Sequence, residues 1–245
     1  MNNKINRTFP QTLRLWFIIP ILFLLLYAAY ICFRWAFADI LSVQVRYQIG
    51  KAQTIGQTMS AKQWRLSREM LQKTLKLHPD YSDYLDMGKL FFQVASVQKA
   101  PLLAELNWPN SKQIALDYAR DAVLARPSWP YFWNELILLK AALSQFDGEM
   151  VGALQRALTL GAWEEPILYD ITNMGLEHWD KLPENSYPWI VLAVDKTLVV
   201  LNTEQTVVKA IQTHVNIGKV CLNTHGYSKN SIKALRYLCR HLSSD

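Results

Sequence analysis

Charge and apolar patterning in this chain call for an all-α fold, with one N-terminal transmembrane helix leading into an array of helical hairpins. Leu15 to Phe33 is a run of nineteen residues without a charged side chain. At roughly 1.5 Å rise per residue it matches a hydrocarbon core about 30 Å thick. Beyond it, apolar residues recur at intervals of three and four between Pro- and Gly-containing breaks. Nine Gly and ten Pro in 245 residues are too few for a many-turned β sandwich.

Arg14 and Arg34 close the apolar run, and Trp16, Tyr27, Tyr30 and Trp35 suit the headgroup zone. Pro20 sits one turn into the run, where a missing amide donor is expected to cost least. The competing reading is a cleaved signal peptide, because Ala36-Phe37-Ala38 has the form of a cleavage site. A secretory apolar region is only about 7–15 residues long, and Arg34-Trp35 intervenes before that site, so an uncleaved anchor is expected. Lys4, Arg7 and Arg14 precede the run with no acid, whereas Arg34, Arg46 and Lys51 follow it with Asp39. This slight bias places the N-terminus in the cytoplasm and the body outside it.

A 51% hydrophobic chain with nine Trp and eleven Tyr can bury a core, which excludes a disordered ectodomain. The net charge of +6 is unevenly placed: six Lys/Arg lie between Lys209 and Arg240. In an exported body such a stretch points to phospholipid headgroups, an anionic polysaccharide or a protein partner, and not to nucleic acid. The single N-x-S/T sequon, Asn6-Arg7-Thr8, falls in the expected cytoplasmic tail, a weak bacterial signature. Cys32 lies in the apolar run, as a small apolar residue. Cys221 and Cys239 lie where a disulfide is permitted. If two helices meet in a hairpin near Asn223–Tyr227, Cys239 is about ten residues past the turn. That offset is about 15 Å along the axis, against a limit near 7 Å for bridged Cα atoms. A bridge therefore needs the first helix to end early or the loop to fold back, and the pairing stays open.

Ser60-Ala61-Lys62-Gln63 has the form of a capping box, and a helix with Trp64, Leu71 and Leu75 on one side follows to Leu77. His78-Pro79-Asp80-Tyr81 ends it, with Asp80 placed to cap a helix carrying Tyr84, Leu85, Gly88, Phe91, Phe92 and Ala95. Pro101 to Ser111 reads as an irregular insertion. Helices are expected over Ile114–Ala125, Tyr131–Gln145, Glu149–Leu160 and Glu164–Trp179, with Asp147-Gly148 as a turn and Leu182–Pro188 as a loop. Trp189–Leu201 is too short and, with Asp195-Lys196, too charged for a second span. A buried core helix is expected there, although its β-branched residues also permit a strand. Glu204–Leu222 and Ser228–Leu242 close the chain as two more helices.

The breaks recur. Arg126-Pro127-Ser128-Trp129 and Leu160-Gly161-Ala162-Trp163 superpose at a spacing of 34 residues, and His78-Pro79-Asp80-Tyr81 precedes the first by 48. Thirty-four is the tetratricopeptide period, and Ser60 to about Trp179 resembles that family in degenerate form. Ala115, Ala122 and Pro127 have the spacing of its small residues and terminal proline, and Trp133 and Leu136 that of its W-x-x-L. Ile137 stands at the usual glycine position, Met87-Gly88 arrives one residue early and Ala157 is one residue off. An ordinary helical bundle with a coincidental interval is the competing reading. The resemblance implies a tetratricopeptide-like helical-hairpin array.

No G-x-S-x-G, Walker-type, G-x-G-x-x-G, H-E-x-x-H or C-x-x-C motif occurs. The five histidines have no ligand spacing with one another or with the cysteines. His178 beside Glu177 and Asp180, Asp80/Asp83/Asp86, and Glu164-Glu165 all read as solvated or capping helix ends. No catalytic residue, metal or cofactor is expected. Lys229, Lys233, Arg236 and Arg240 follow at intervals of four, three and four, beside Ile232, Leu235, Cys239 and Leu242. This basic face is a candidate docking surface, with a solvated outer face as the plainer alternative. Phe91, Phe92, Trp129, Tyr131, Phe132 and Trp133 fit core spacing, with one or two free to stack on sugar rings at a groove.

A single span, a helical-repeat body and no catalytic constellation resemble the small accessory proteins of bacterial exopolysaccharide machinery, notably the VpsP family. The segments Leu75-Lys76-Leu77-His78-Pro79-Asp80-Tyr81 and Arg126-Pro127-Ser128-Trp129 carry the likeness. It implies a non-catalytic inner-membrane scaffold with a periplasmic body that supports polysaccharide polymerisation or export through protein partners. An accessory of another envelope assembly (cytochrome c maturation, secretion or a pilus) is the alternative. The expected organisation is a tail over 1–14, an anchor over 15–35, a juxtamembrane helix or linker over 36–59, repeats over 60–180 and a C-terminal helical region over 181–245.

Overall fold

The computed structural model describes residues 11–54, 59–98, 110–200, 205–224 and 233–242. Among these there are helices and turns and no strand. The first helix, α1 (Gln11–Gln53), is 43 residues long. Anchor and juxtamembrane segment are therefore one helix without a linker as far as Gln53. Its two halves differ in kind. From Ile18 to Phe33 almost every side chain is exposed, and α1 is the one described helix long and apolar enough to cross a membrane. From Ala38 onward, Ala38, Ser42, Val45, Ile49 and Ala52 are buried, at steps of four and three that place them on one stripe. The body packs on that stripe through α2 (Ala61–Leu77) and α3 (Ser82–Val97).

The start of α2 is fixed by its capping box: Ser60 N–H donates to Gln63 Oε1 at 2.8 Å, and Gln63 N–H donates to Ser60 Oγ at 3.4 Å. Trp64, Ser67, Leu71 and Thr74 form its buried face. The Trp64 ring meets Phe91 of α3 edge-on, centroids 5.0 Å apart. Asp80 does not cap α3. The helix starts at Ser82, so the cap position falls on Tyr81, which makes no side-chain cap bond.

α4 (Ser111–Ala125), α5 (Pro130–Ala142), α6 (Gly148–Leu160) and α7 (Glu165–Glu177) continue the array. Most of the insertion expected at Pro101–Ser111 lies outside the described residues; its last residue, Ser111, already belongs to α4. The hairpins α2–α3, α4–α5 and α6–α7 share one turn. Each first helix ends where the amide of His78, Arg126 or Gly161 donates to the carbonyl four residues back, on Thr74, Ala122 and Ala157. The amides of Tyr81, Trp129 and Glu164 then donate to the carbonyls of His78, Arg126 and Gly161 at 3.4, 3.1 and 3.1 Å. At those three cap residues φ lies between −79° and −92°, and ψ between 105° and 112°.

This corrects the spacing read from the sequence. Trp129 corresponds to Glu164 and not to Trp163, so the second interval is 35 residues. The buried positions agree: Ser67, Ala115 and Met150 align, as do Leu71, Ala119 and Leu154, and Thr74, Ala122 and Ala157, all 3% exposed or less. Ala157 is in register once the interval is 35. From α1 to α7 each helix packs on the next, and α1 also packs on α3 and α5 on α7.

Close approach depends on glycine at several points, two of them between neighbouring helices. A Cβ on Gly88 would lie 3.0 Å from the Tyr118 ring, and one on Gly175 would lie 2.4 Å from Ile190 Cγ2. The buried helix expected over Trp189–Leu201 is α8 (Tyr187–Val200), reached through two short 3-10 segments, Trp179–Lys181 and Glu184–Ser186. The helix expected over Glu204–Leu222 is instead two, α9 (Gln205–Gln212) and α10 (Ile217–Leu222). Buried Asn216 causes the break: its Nδ2 donates to the carbonyl of Leu176 at the end of α7 at 2.8 Å, and its own amide donates to His214 Nδ1. The last helix, α11 (Lys233–Leu242), packs on α8 and α10.

Candidate functional site

A groove of about 520 Å³ opens between the C-terminal part of α1, the first turns of α3 and the start of α5. Alternate helices of the array line it. α1 contributes Arg46, Ile49, Gly50 and Gln53, and α3 contributes Asp83, Asp86, Met87 and Leu90. The repeated turn before α5 contributes Arg126 and Trp129, with Phe132 in the first turn of the helix. The walls thus carry two guanidiniums and two carboxylates over an apolar floor.

Second partners hold three of these charges in place. Asp86 pairs with Lys89 at 2.8 Å, and the buried Lys89 ammonium also reaches Glu135 of α5 at 3.2 Å. Asp83 accepts from the Tyr81 hydroxyl at 3.1 Å. The Arg126 guanidinium lies 4.3 Å from the centre of the Trp129 ring, a cation–π contact that leaves part of the indole uncovered; Trp129 is 38% exposed. Phe91, Phe92 and Phe132 are core, and Tyr131 and Trp133 are half-buried against it. Of the aromatic candidates, Trp129 is the one set at the groove mouth.

The groove has no nucleophile beside a base. Among the described residues no cluster of His, Cys, Asp or Glu could hold a metal ion. The His178 ring lies tilted against Phe146, and Asp180 pairs with Lys219 at 2.6 Å. Asp80, Asp83 and Asp86 do not converge on a common point: Asp83 and Asp86 have the partners just named, and Asp80 lines a separate hollow with Trp35 and His78. In that hollow the His78 ring stacks on Trp35 at 3.7 Å, and Arg34 donates to the Leu77 carbonyl. The α2–α3 turn is thereby clamped to α1 just past its apolar run.

The basic face is placed in part. Lys229 lies outside the described residues. Lys233 and Arg240 are exposed on α11, and Arg236 is half-buried. Leu235 and Leu238 are the buried residues of that helix. Two fasteners hold it. Cys239 is bonded to Cys221, with Cα atoms 5.6 Å apart, which is feasible because the preceding helix is only Ile217–Leu222. Buried Asp195 of α8 accepts the Leu235 amide at 3.0 Å and that of Ala234. Burial pushes the Asp195 carboxyl above the usual range, and those two amides oppose the shift.

A second polar group escaped the sequence reading. Lys140 is fully buried, yet its ammonium meets Asp147 at 2.9 Å and Glu149 at 2.5 Å. Arg120 of α4 grips the same Glu149 with two bonds, 2.8 and 2.9 Å. Those bonds hold the Glu149 carboxyl down to about 2, against burial, with help from Lys140. Only i, i+3 or i, i+4 partners are legible in a sequence, and Lys140 and Arg120 reach across helices. No protein-family model and no curated protein matches this chain.

Proposed function

We propose that this protein is a non-catalytic, membrane-anchored adapter whose groove between α1, α3 and α5 binds a segment of a protein partner. In this reading α1 spans the bacterial inner membrane with its N-terminus in the cytoplasm, and the tetratricopeptide-like hairpins α2–α7 stand in the periplasm. The system served is polysaccharide biosynthesis or export, as the likeness to VpsP-type accessory proteins suggests. The single observation that carries the reading is the groove itself. Balanced charges over an apolar floor suit a polypeptide, which offers both signs of charge and apolar side chains. The anchor helix forms one wall of the groove, so bound partner and membrane are mechanically connected.

The test uses the full chain in its native membrane, with Arg126→Gln and Trp129→Ala combined. Co-purification with polysaccharide-assembly proteins should fall at least tenfold, and polymer output with it, at unchanged protein level and helix content. Unchanged capture and output would overturn the reading. Capture of haem-handling, secretion or pilus proteins by the parent chain would keep the adapter and replace the system. Reporter fusions at Asp245 test topology: activity of a cytoplasmic reporter alone would contradict the periplasmic body.

A further inference from the structure

The outer half of α1 has a second apolar face, which the body does not use. Phe33, Phe37, Ile40, Val43 and Tyr47 are 67, 43, 64, 58 and 63% exposed, and Gln44 is exposed among them. At 100° per residue they lie opposite the buried stripe from Ala38 to Ala52. We propose that this face pairs in parallel with α1 of a second copy of the chain.

Lipid does not account for the face, given that α1 is a membrane span, the one earlier reading on which this inference rests. The headgroup zone adds only about 5–8 Å beyond the hydrocarbon core on each side. Ile40 stands about 10 Å beyond Phe33 along the helix, and Tyr47 about 21 Å. Phe33, Phe37, Ile40, Gln44 and Tyr47 follow at steps of four, three, four and three. That is the seam spacing with which one helix packs knobs-into-holes on another.

Gln44 selects an identical partner. Its amide both donates and accepts, so two Gln44 side chains at the same height can bond to each other across the seam. A lone polar seam residue also fixes register and strand number. Two copies inserted the same way are necessarily parallel. Each aromatic ring can bury roughly 150–250 Å². With Ile40 and Val43, the seam offers roughly half to two-thirds of the ~800 Å² per partner typical of stable interfaces. Tyr30, Leu26 and Phe23, all more than half exposed, continue the same spacing into the span and can supply the rest. Lys51 occupies the next seam position, where two ammonium groups would meet, and ends the pairing.

The experiment is disulfide cross-linking of the full chain in native membranes, with Cys32 changed to Ala. Single cysteines replace Phe37, Ile40, Gln44 or Tyr47 on the seam, and Asp39 or Arg46 beside it. All six side chains are exposed, so none of these changes removes core packing. Oxidation should give a species of twice the chain mass at the four seam positions, at least tenfold above the two others. Adding Gln44→Glu to the Ile40→Cys chain should cut that yield at least tenfold by opposing two carboxylates, while Gln44→Asn should keep it. Equal yields at all six positions, no dimer at the seam, or adducts with a protein of another mass would overturn the proposal.

Discussion

Residues 111–177 and residues 205–224 with 233–242 are both mainly helical, and they are held together by different means. α4 to α7 are 13 to 15 residues long, whereas α9, α10 and α11 have 8, 6 and 10. Helices shorter than about 12–15 residues are marginal on their own. The longer ones stack through side chains 3% exposed or less, such as Ala115, Met150, Ile137 and Ile171, and their ion pairs add to packing that already exists. The short ones carry three fasteners: the Cys221–Cys239 bond between α10 and α11, the Asp195 carboxylate of α8 beneath α11 and the Asn216 amide on the Leu176 carbonyl of α7. The central array is therefore a continuous stack, and the C-terminal region is a set of pieces tied to it.

Breaking a fastener should open one region and spare the other. The largest effect is expected from Cys221→Ser with Cys239→Ser. A closed loop of 18 residues corresponds to about 3 kcal/mol in the chain-entropy account. Hydrogen exchange should speed up in α9, α10 and α11 while α2–α7 keep their protection; equal loss in both regions would refute the division. Glu149→Gln should do the reverse. It leaves the buried Lys140 with Asp147 alone and should cost about 2 kcal/mol, below the 3–5 of a fully buried pair because Glu149 is 39% exposed.

Acid separates the regions again. The Glu149 carboxyl is lowered from 4.5 to about 2, so its contribution is complete above pH 4.5 and is lost as pH falls toward 2. Asp195 is shifted upward, so its ionisation weakens the fold as pH rises and acid does not remove that clamp. Region-resolved exchange between pH 6 and pH 3 should show the loss in α4–α6 first. A smaller effect, about 1–2 kcal/mol confined to α11, is expected for Asp195→Ala, which strips the acceptor from the Leu235 amide. The smallest is Lys233→Gln with Arg240→Gln, both exposed: thermal stability should stay within about 0.5 kcal/mol. Reduced partner capture by that variant would make the basic face a second docking surface, and unchanged capture would leave it solvated.

The same division governs what was legible in the sequence. The nineteen-residue apolar run, the Ser60–Gln63 capping box and the His78–Tyr81 and Arg126–Trp129 breaks are local features, and each marks an element the structure contains. The turn at Gly161 was legible only to within one residue, because matching Trp163 to Trp129 favoured the side chain over the backbone cap at Glu164. The break at Thr213–Asn216 has neither Gly nor Pro; a bond to a carbonyl forty residues away sets it. Arg46, Asp86 and Trp129 meet only because α1, α3 and α5 come together, so the groove had no sequence signal beyond the repeated turn. Lys140 and Asp195 were charges in apolar helices whose partners lie on other elements.

Site-specific photo-cross-linking in native membranes reads out whether the groove between α1, α3 and α5 binds a partner. A photoreactive phenylalanine analogue, which keeps an aromatic ring at the groove mouth, replaces Trp129 in one full-length chain and Lys233 in another. One discrete protein adduct is expected from position 129, abolished by Arg126→Gln. No adduct at 129, or a discrete adduct from 233 alone, would contradict that binding.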